Sequence, residues 1–337
     1  MVERGSHGHR VVMGLGMPFW PGRAAWATRQ TLDPSRVDAR GYVAALRREA
    51  LGAAPDYGDC RVGAVMVGGG VAAHVADDAL GDLLFDLRRA YRLGDRAPDP
   101  GAGEGAVPPE CRPAEVTVRA LAGAFSASSL DMCRRGHVTR LELDYATSSP
   151  AEASALGWPM GPEALEVTRE VLCGAGARQR LPAWLDVILR LLVGIPGQTA
   201  RSARASVEAA LGFGASGVSL RAVAPGRLPA PREAAEEVAG AMAERLGEAG
   251  MREYLPGEWA LPGHECAFRV LDARGAERLG FGLGSLTRFD GAWARDTADL
   301  ATYLRASDDP RVVVAEVGSP GRAPGDGALG CGLTTRA

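Results

Sequence analysis

The sequence predicts an α/β protein: a partial, open (β/α)6 barrel of the TIM-like kind, followed by a small β-rich extension. Three observations predict it. Short apolar, β-branched runs alternate with longer amphipathic stretches six times in succession, the pattern of a parallel sheet with crossover helices. Six units are too few to close an eight-fold barrel, so the sheet stays open. After Gly250 the alternation gives way to short, turn-rich segments.

In order, Arg10–Met17 reads as a strand and Arg40–Leu51 as a helix. Arg61–Val67 is a strand ending in Gly68-Gly69-Gly70, and Asp77–Tyr91 a helix. Asp95–Pro113, rich in Gly, Pro and acid, reads as a surface loop. Glu115–Leu121 and Val138–Asp144 are strands, with a helix at Ser126–Arg135 between them and another at Pro162–Cys173 after them. Trp184–Val193 is a strand that runs into the turn Gly194–Thr199. Thr199–Phe213 is a helix, Gly217–Val223 the sixth strand, and Glu233–Gly247 a helix rich in Ala and Glu. Tyr254–Leu261, Ala267–Leu271 and Phe281–Asp290 form the β-rich extension, packed against the barrel. Ala298–Arg305 is a last helix. The expected units are a barrel over 1–225, a helix with the β-rich extension over 226–317, and a glycine-rich, poorly ordered tail over 318–337.

Composition bounds the function. The chain has 337 residues, 46% hydrophobic and 23% charged, enough for one large domain or two smaller ones. A net charge of −3 creates no field for nucleic acid or an anionic membrane, so neither is an expected partner. All 38 basic residues are arginine, which excludes Schiff-base and other lysine chemistry. No apolar run approaches the roughly 18 residues of a membrane span. Met1–Arg10 is polar and lacks the apolar core of a signal peptide, so the expected location is cytoplasmic. Cys60, Cys111, Cys133, Cys173, Cys266 and Cys331 lie far apart and read as free thiols, with no local metal motif.

Eight phrases stand in a telling order: Met17-Pro18-Phe19, Gly68-Gly69-Gly70, His137–Leu143, Leu156-Gly157, Gly194–Thr199 (GIPGQT), Pro262–Glu265 (PGHE), Gly280–Gly284 (GFGLG) and Tyr303-Leu304. In order and spacing they resemble the oxygen-independent coproporphyrinogen oxidase and haem chaperone family of radical S-adenosylmethionine (SAM) enzymes, over roughly residues 9–305. The resemblance implies a radical SAM barrel. The family's C-terminal winged-helix domain is expected to be absent.

The departures from the family are informative. The resemblance implies a C-x3-C-x2-C loop after the first strand, whose thiolates bind an iron–sulfur cluster. Aligned on Pro18-Phe19, those positions are Trp20, Ala24 and Ala27, none of which can ligate iron. The family's SAM contacts fall at Arg119 and Arg190 in place of carboxylates, Ala146 in place of glutamine, and Trp158 in place of arginine. Two guanidinium groups face where a sulfonium and an ammonium would bind, an unfavourable reversal. The haem-linked histidines are also missing apart from His264. The expectation is a degenerate member with no cluster, hence no cofactor.

The candidate ligand-binding residues are Gly68, Gly69, Gly70, Arg119, Trp158, Arg190, Gln198 and Thr199, with Asp144 as the one catalytic candidate. Paired arginines favour carboxylates or phosphates, and Trp20 with Trp158 would supply a stacking wall. Two alternatives stay open for these residues. The glycine turns either let backbone approach a ligand or simply define the fold, and the arginines either meet an anionic small molecule or pair with Glu142 and Asp144. For function, the readings are a repurposed pocket with a non-radical step, a pseudoenzyme partnering an intact radical SAM homologue, and a non-radical SAM-binding or coproporphyrinogen oxidase-like protein.

Overall fold

The computed structural model describes residues 10–21, 31–73, 75–94, 114–161, 163–174, 181–223 and 232–318. The first strand, β1 (Arg10–Met17), leads through α1 (Ala39–Ala53) and a short 3-10 turn to β2 (Arg61–Gly69). The units β2–α2 (Asp77–Ala90), β3 (Glu115–Leu121)–α3 (Ala127–Arg135) and β4 (Arg140–Ala146) follow. After β4 come two helices, α4 (Pro150–Leu156) and α5 (Ala164–Cys173). Then β5 (Asp186–Val193), α6 (Ala200–Phe213), β6 (Gly217–Ala222) and α7 (Arg232–Glu248) complete the six units. The six strands pair in parallel in sequence order, as the alternation predicts.

The extension comprises β7 (Arg252–Leu255), β8 (Glu258–Ala260), α8 (Ala267–Ala273), β9 (Glu277–Phe281), β10 (Leu286–Phe289), β11 (Ala292–Asp296), α9 (Leu300–Ala306), α10 (Pro310–Val313) and β12 (Val314–Gly318). It does more than pack against the barrel, because it continues the same sheet at both edges. The strand order is β12-β11-β10-β9-β1-β2-β3-β4-β5-β6-β8-β7. β9 lies parallel to β1, and β8 runs antiparallel to β6. The sheet is open, with β12 and β7 as its edges.

Several elements differ from the sequence expectation: β11, α10 and β12 lie in stretches for which no element was named, and two helices depart as well. Ala267–Leu271, expected in a β-rich run, is the helix α8; Phe268 is buried on it while the flanking residues are half-exposed, a helical spacing too short to register in one turn. The helix α4 was not expected at all. It is held by local chemistry: Ser149 caps it by accepting from Glu152 N–H, Pro150 opens it, and Gly157 closes it in the left-handed region. The expected loop Asp95–Pro113, Ala24, Ala27 and the tail beyond 318 lie outside the described residues.

β4 shows how sequence places chemistry. Its run Arg-Leu-Glu-Leu-Asp-Tyr-Ala is buried at every position. Leu141, Leu143 and Tyr145 enter the main core with the helices. Since successive side chains point to opposite faces, Arg140, Glu142 and Asp144 face the concave lumen. A fully buried strand with alternate charges thus marks a polar lumen. No helix among the described residues is long and apolar enough to cross a membrane.

Candidate functional site

The lumen holds a chain of ion pairs. Arg119 on β3 donates through Nη2 to both Asp144 oxygens, at 2.8 and 3.1 Å. Arg190 on β5 brings Nη1 to 3.1 Å from Asp144 Oδ1. Arg269 on α8 donates through Nη2 to both Glu142 oxygens, at 2.7 and 2.9 Å, and its Nε lies 3.3 Å from Glu258 on β8. Glu258 also pairs with Arg221 on β6. Among the described residues, four arginines meet three carboxylates at this level. At the N-terminal end of the strands the balance reverses. There Arg140 meets Glu115 and Asp186 at 3.1 and 3.2 Å, and Asp186 also holds His264 Nδ1 at 2.6 Å.

Backbone geometry aims these groups. A bulge between Asp144 and Ala146 shifts the β4–β5 register, and Ala146 has φ 65°, which an alanine adopts only under constraint. Gly68 leaves room for Arg119, since a Cβ there would sit 3.3 Å from Arg119 Cδ. Burial pushes the Asp144 carboxyl up to about 6, with Arg119 pulling the other way and Glu142 adding to the rise. Glu142 goes below its ordinary range: burial raises it, but the charges of Arg269, Arg119 and Arg221 together outweigh that.

Not every donor in this network is satisfied. Among the described residues, Nε and Nη1 of Arg190, Nε of Arg119 and the hydroxyl of Ser219 are buried without a hydrogen-bond partner. Ser219 is the residue directly beside Arg190 in the β5–β6 register and is fully buried.

Apolar side chains cover the lumen at the C-terminal ends of the strands. Trp20 is buried in a cluster with Val71 and Leu121, and Trp158 packs against it with ring centroids 5.1 Å apart. The two indoles expected to form a stacking wall thus pack against each other, with their planes tilted by 58°.

The expected site residues divide into two groups. Arg119, Asp144 and Arg190 converge, and the arginines meet Asp144, the pairing alternative. The turn residues do structural work. A Cβ on Gly70 would collide with the Phe19 backbone oxygen, while Val71 N–H donates to that oxygen at 2.8 Å. Gly69, with φ 96°, turns the chain out of β2. Gln198 accepts from Gly194 and Ile195 N–H at 2.9 and 3.2 Å and donates to Leu192 O at 2.9 Å, a staple across its own turn. Thr199 caps α6 in a reciprocal capping box with Ser202. Glu258, Arg269 and Ser219 escaped sequence reasoning. Glu258 and Arg269 come from the extension, and only the alternate charges of β4, which demand buried partners, signalled them.

The cluster and SAM that the resemblance implies do not fit these residues. Trp20 fills its position with a buried indole, Ala24 and Ala27 carry no thiol, and no three His, Cys, Asp or Glu among the described residues could hold a metal together. Arg119 and Arg190 put positive charge where the family's SAM contacts would be carboxylates.

The architecture is that of a radical SAM-type partial barrel. Coproporphyrinogen III oxidase (HemN) from Escherichia coli, a radical SAM enzyme, superposes with a TM-score of 0.71 at 14% identity, covering 96% of this chain and 74% of that one. The cobalamin-binding radical SAM methyltransferase TsrM from Kitasatospora setae matches more loosely, with a TM-score of 0.40 at 16% identity over 63% of this chain and 34% of its own. No protein-family model and no curated protein sequence matches the chain.

Proposed function

We propose that this chain is a cluster-free relative of the radical SAM barrels whose lumen binds a small monoanion, a carboxylate, at Arg190 and Ser219. One observation carries the reading: Arg190, ion-paired to Asp144 at 3.1 Å, keeps Nε and Nη1 buried without a hydrogen-bond partner among the described residues, beside a Ser219 hydroxyl that is likewise buried and unbonded. Leaving buried donors unmade costs about 1–3 kcal/mol each, more for charged groups. A carboxylate accepts from a guanidinium in a fork and from a hydroxyl at once. Asp144 is the group placed to give or take a proton next to that ligand, as a carboxyl that keeps its proton up to about 6.

The test is calorimetric titration of the full chain with pyruvate and benzoate, and with inorganic phosphate as the multiply charged counterpart. Saturable binding of a monocarboxylate, lost in Arg190→Met and weakened in Ser219→Ala, is expected. No carboxylate binding, or binding that Arg190→Met leaves unchanged, sinks the anion site. Anaerobic reconstitution with iron and sulfide tests the other half of the proposal, and about four irons per chain would overturn the cluster-free reading.

A further inference from the structure

A second buried polar cluster joins α1 to the extension. Tyr42 donates to Gly16 O at 2.6 Å and accepts from Leu283 N–H at 3.1 Å. Glu49 lies two turns further along α1. One of its oxygens accepts from Tyr303 OH at 2.5 Å and from Gly282 N–H at 2.9 Å. Asp296, at the end of β11, hydrogen-bonds Glu49 carboxyl to carboxyl. That contact requires a proton, because two carboxylates offer only acceptors. Asp296 is buried, and its Oδ2 finds no donor among the described residues. A proton on Asp296 turns an orphaned acceptor into a donor.

Among the described residues, no cation pairs with either carboxyl. Arg48, next to Glu49, donates instead to Leu304 O. The other titratable groups whose charge acts here are Tyr42 on α1, Tyr303 on α9, Tyr57 after α1 and Tyr91 after α2. Asp56 and Cys60 act on the two latter tyrosines, and none of these groups can neutralise a carboxylate.

We propose that Glu49 and Asp296 hold one proton between them at neutral pH, and that the pair is a pH-sensitive latch fastening β9–β11 and α9 to the barrel where β1 ends. Burial, then the Glu49 charge, pushes Asp296 up to about 10, and burial pushes Glu49 up to about 7. Both values are raised. The latch therefore stabilises fully below the unfolded carboxyl range near 4, and its contribution falls as pH rises through about 7 and again through about 10.

Thermal unfolding of the full chain from about pH 5 to about pH 9 tests this. The wild type should lose roughly 5 °C or more of melting temperature across that range, and Asp296→Asn should flatten the slope by at least about half. Hydrogen exchange should place the alkaline loosening in 277–306. Parallel slopes for wild type and Asp296→Asn overturn the latch. Should that variant fail to fold, infrared spectroscopy of the wild type near pH 8 decides instead. A protonated-carboxyl band supports the shared proton, and its absence overturns it.

Discussion

Asp144 meets two of the lumen arginines, Arg119 and Arg190, so its own proton controls how much of their charge an incoming anion sees. Its carboxyl is held up to about 6, chiefly by burial. A raised value of this kind favours the folded state at low pH, and the advantage is lost as pH rises through about 6. The same proton matters for binding. With Asp144 ionised, Arg119 and Arg190 are engaged, and an added anion meets a nearby like charge. With Asp144 protonated, both guanidinium groups are released to the ligand. Affinity for pyruvate, which stays ionised throughout, should therefore weaken by up to about tenfold per pH unit above about pH 6. Asp144→Asn should bind as tightly as the wild type does in acid and show no slope. Calorimetry across about pH 5 to 8 reads both, and a slope that persists in Asp144→Asn removes Asp144 from this role.

At the scale of elements, what was legible was whatever depends on local pattern. The β1 and β3 bounds follow from their apolar runs, and the GIPGQT turn from its glycines. The three alternate charges of β4 promised a polar lumen, since a buried strand tolerates such residues only when they are paired. What was not legible depends on distant partners. The partner of Glu142 is 127 residues away on α8, whose single buried aromatic gives no periodic signal. The bulge at Asp144–Ala146 leaves no mark in the sequence, because alanine has no preference for its φ of 65°. Gln198 shows the opposite error. A polar side chain in a glycine turn near a site reads as a ligand contact, and here it staples the turn. Gln198→Ala should cost about 1–2 kcal/mol for the lost acceptor of two backbone N–H groups, read by urea unfolding, and leave carboxylate affinity unchanged. A variant with normal stability and lost binding would return Gln198 to the ligand site.

Over the whole molecule, the boundary between barrel and extension is a change of sequence pattern without a break in structure. The sheet runs through it on both sides. β9 covers the β1 edge over five paired positions, and β8 covers the β6 edge over three. The extension also supplies the counter-charges of the lumen. Without Glu258 and Arg269, the buried Arg221 would lose its ion pair with Glu258 and the buried Glu142 its pair with Arg269, and each such loss costs about 3–5 kcal/mol. Two losses of that size rival the entire stability of a domain, about 5–15 kcal/mol. The bare edges of β1 and β6 would in addition expose unpaired backbone to other chains. A chain cut after residue 250 should therefore aggregate or stay molten, although it retains all six strand–helix units. Restoring residues 251–318 as a separate polypeptide should rescue it only if both strands and charges return together. Solubility, near-ultraviolet circular dichroism and cooperative melting of the cut chain measure this. A soluble 1–250 fragment with a sharp melting transition would show that the six units balance their own lumen, and that the extension is an accessory to a barrel already complete.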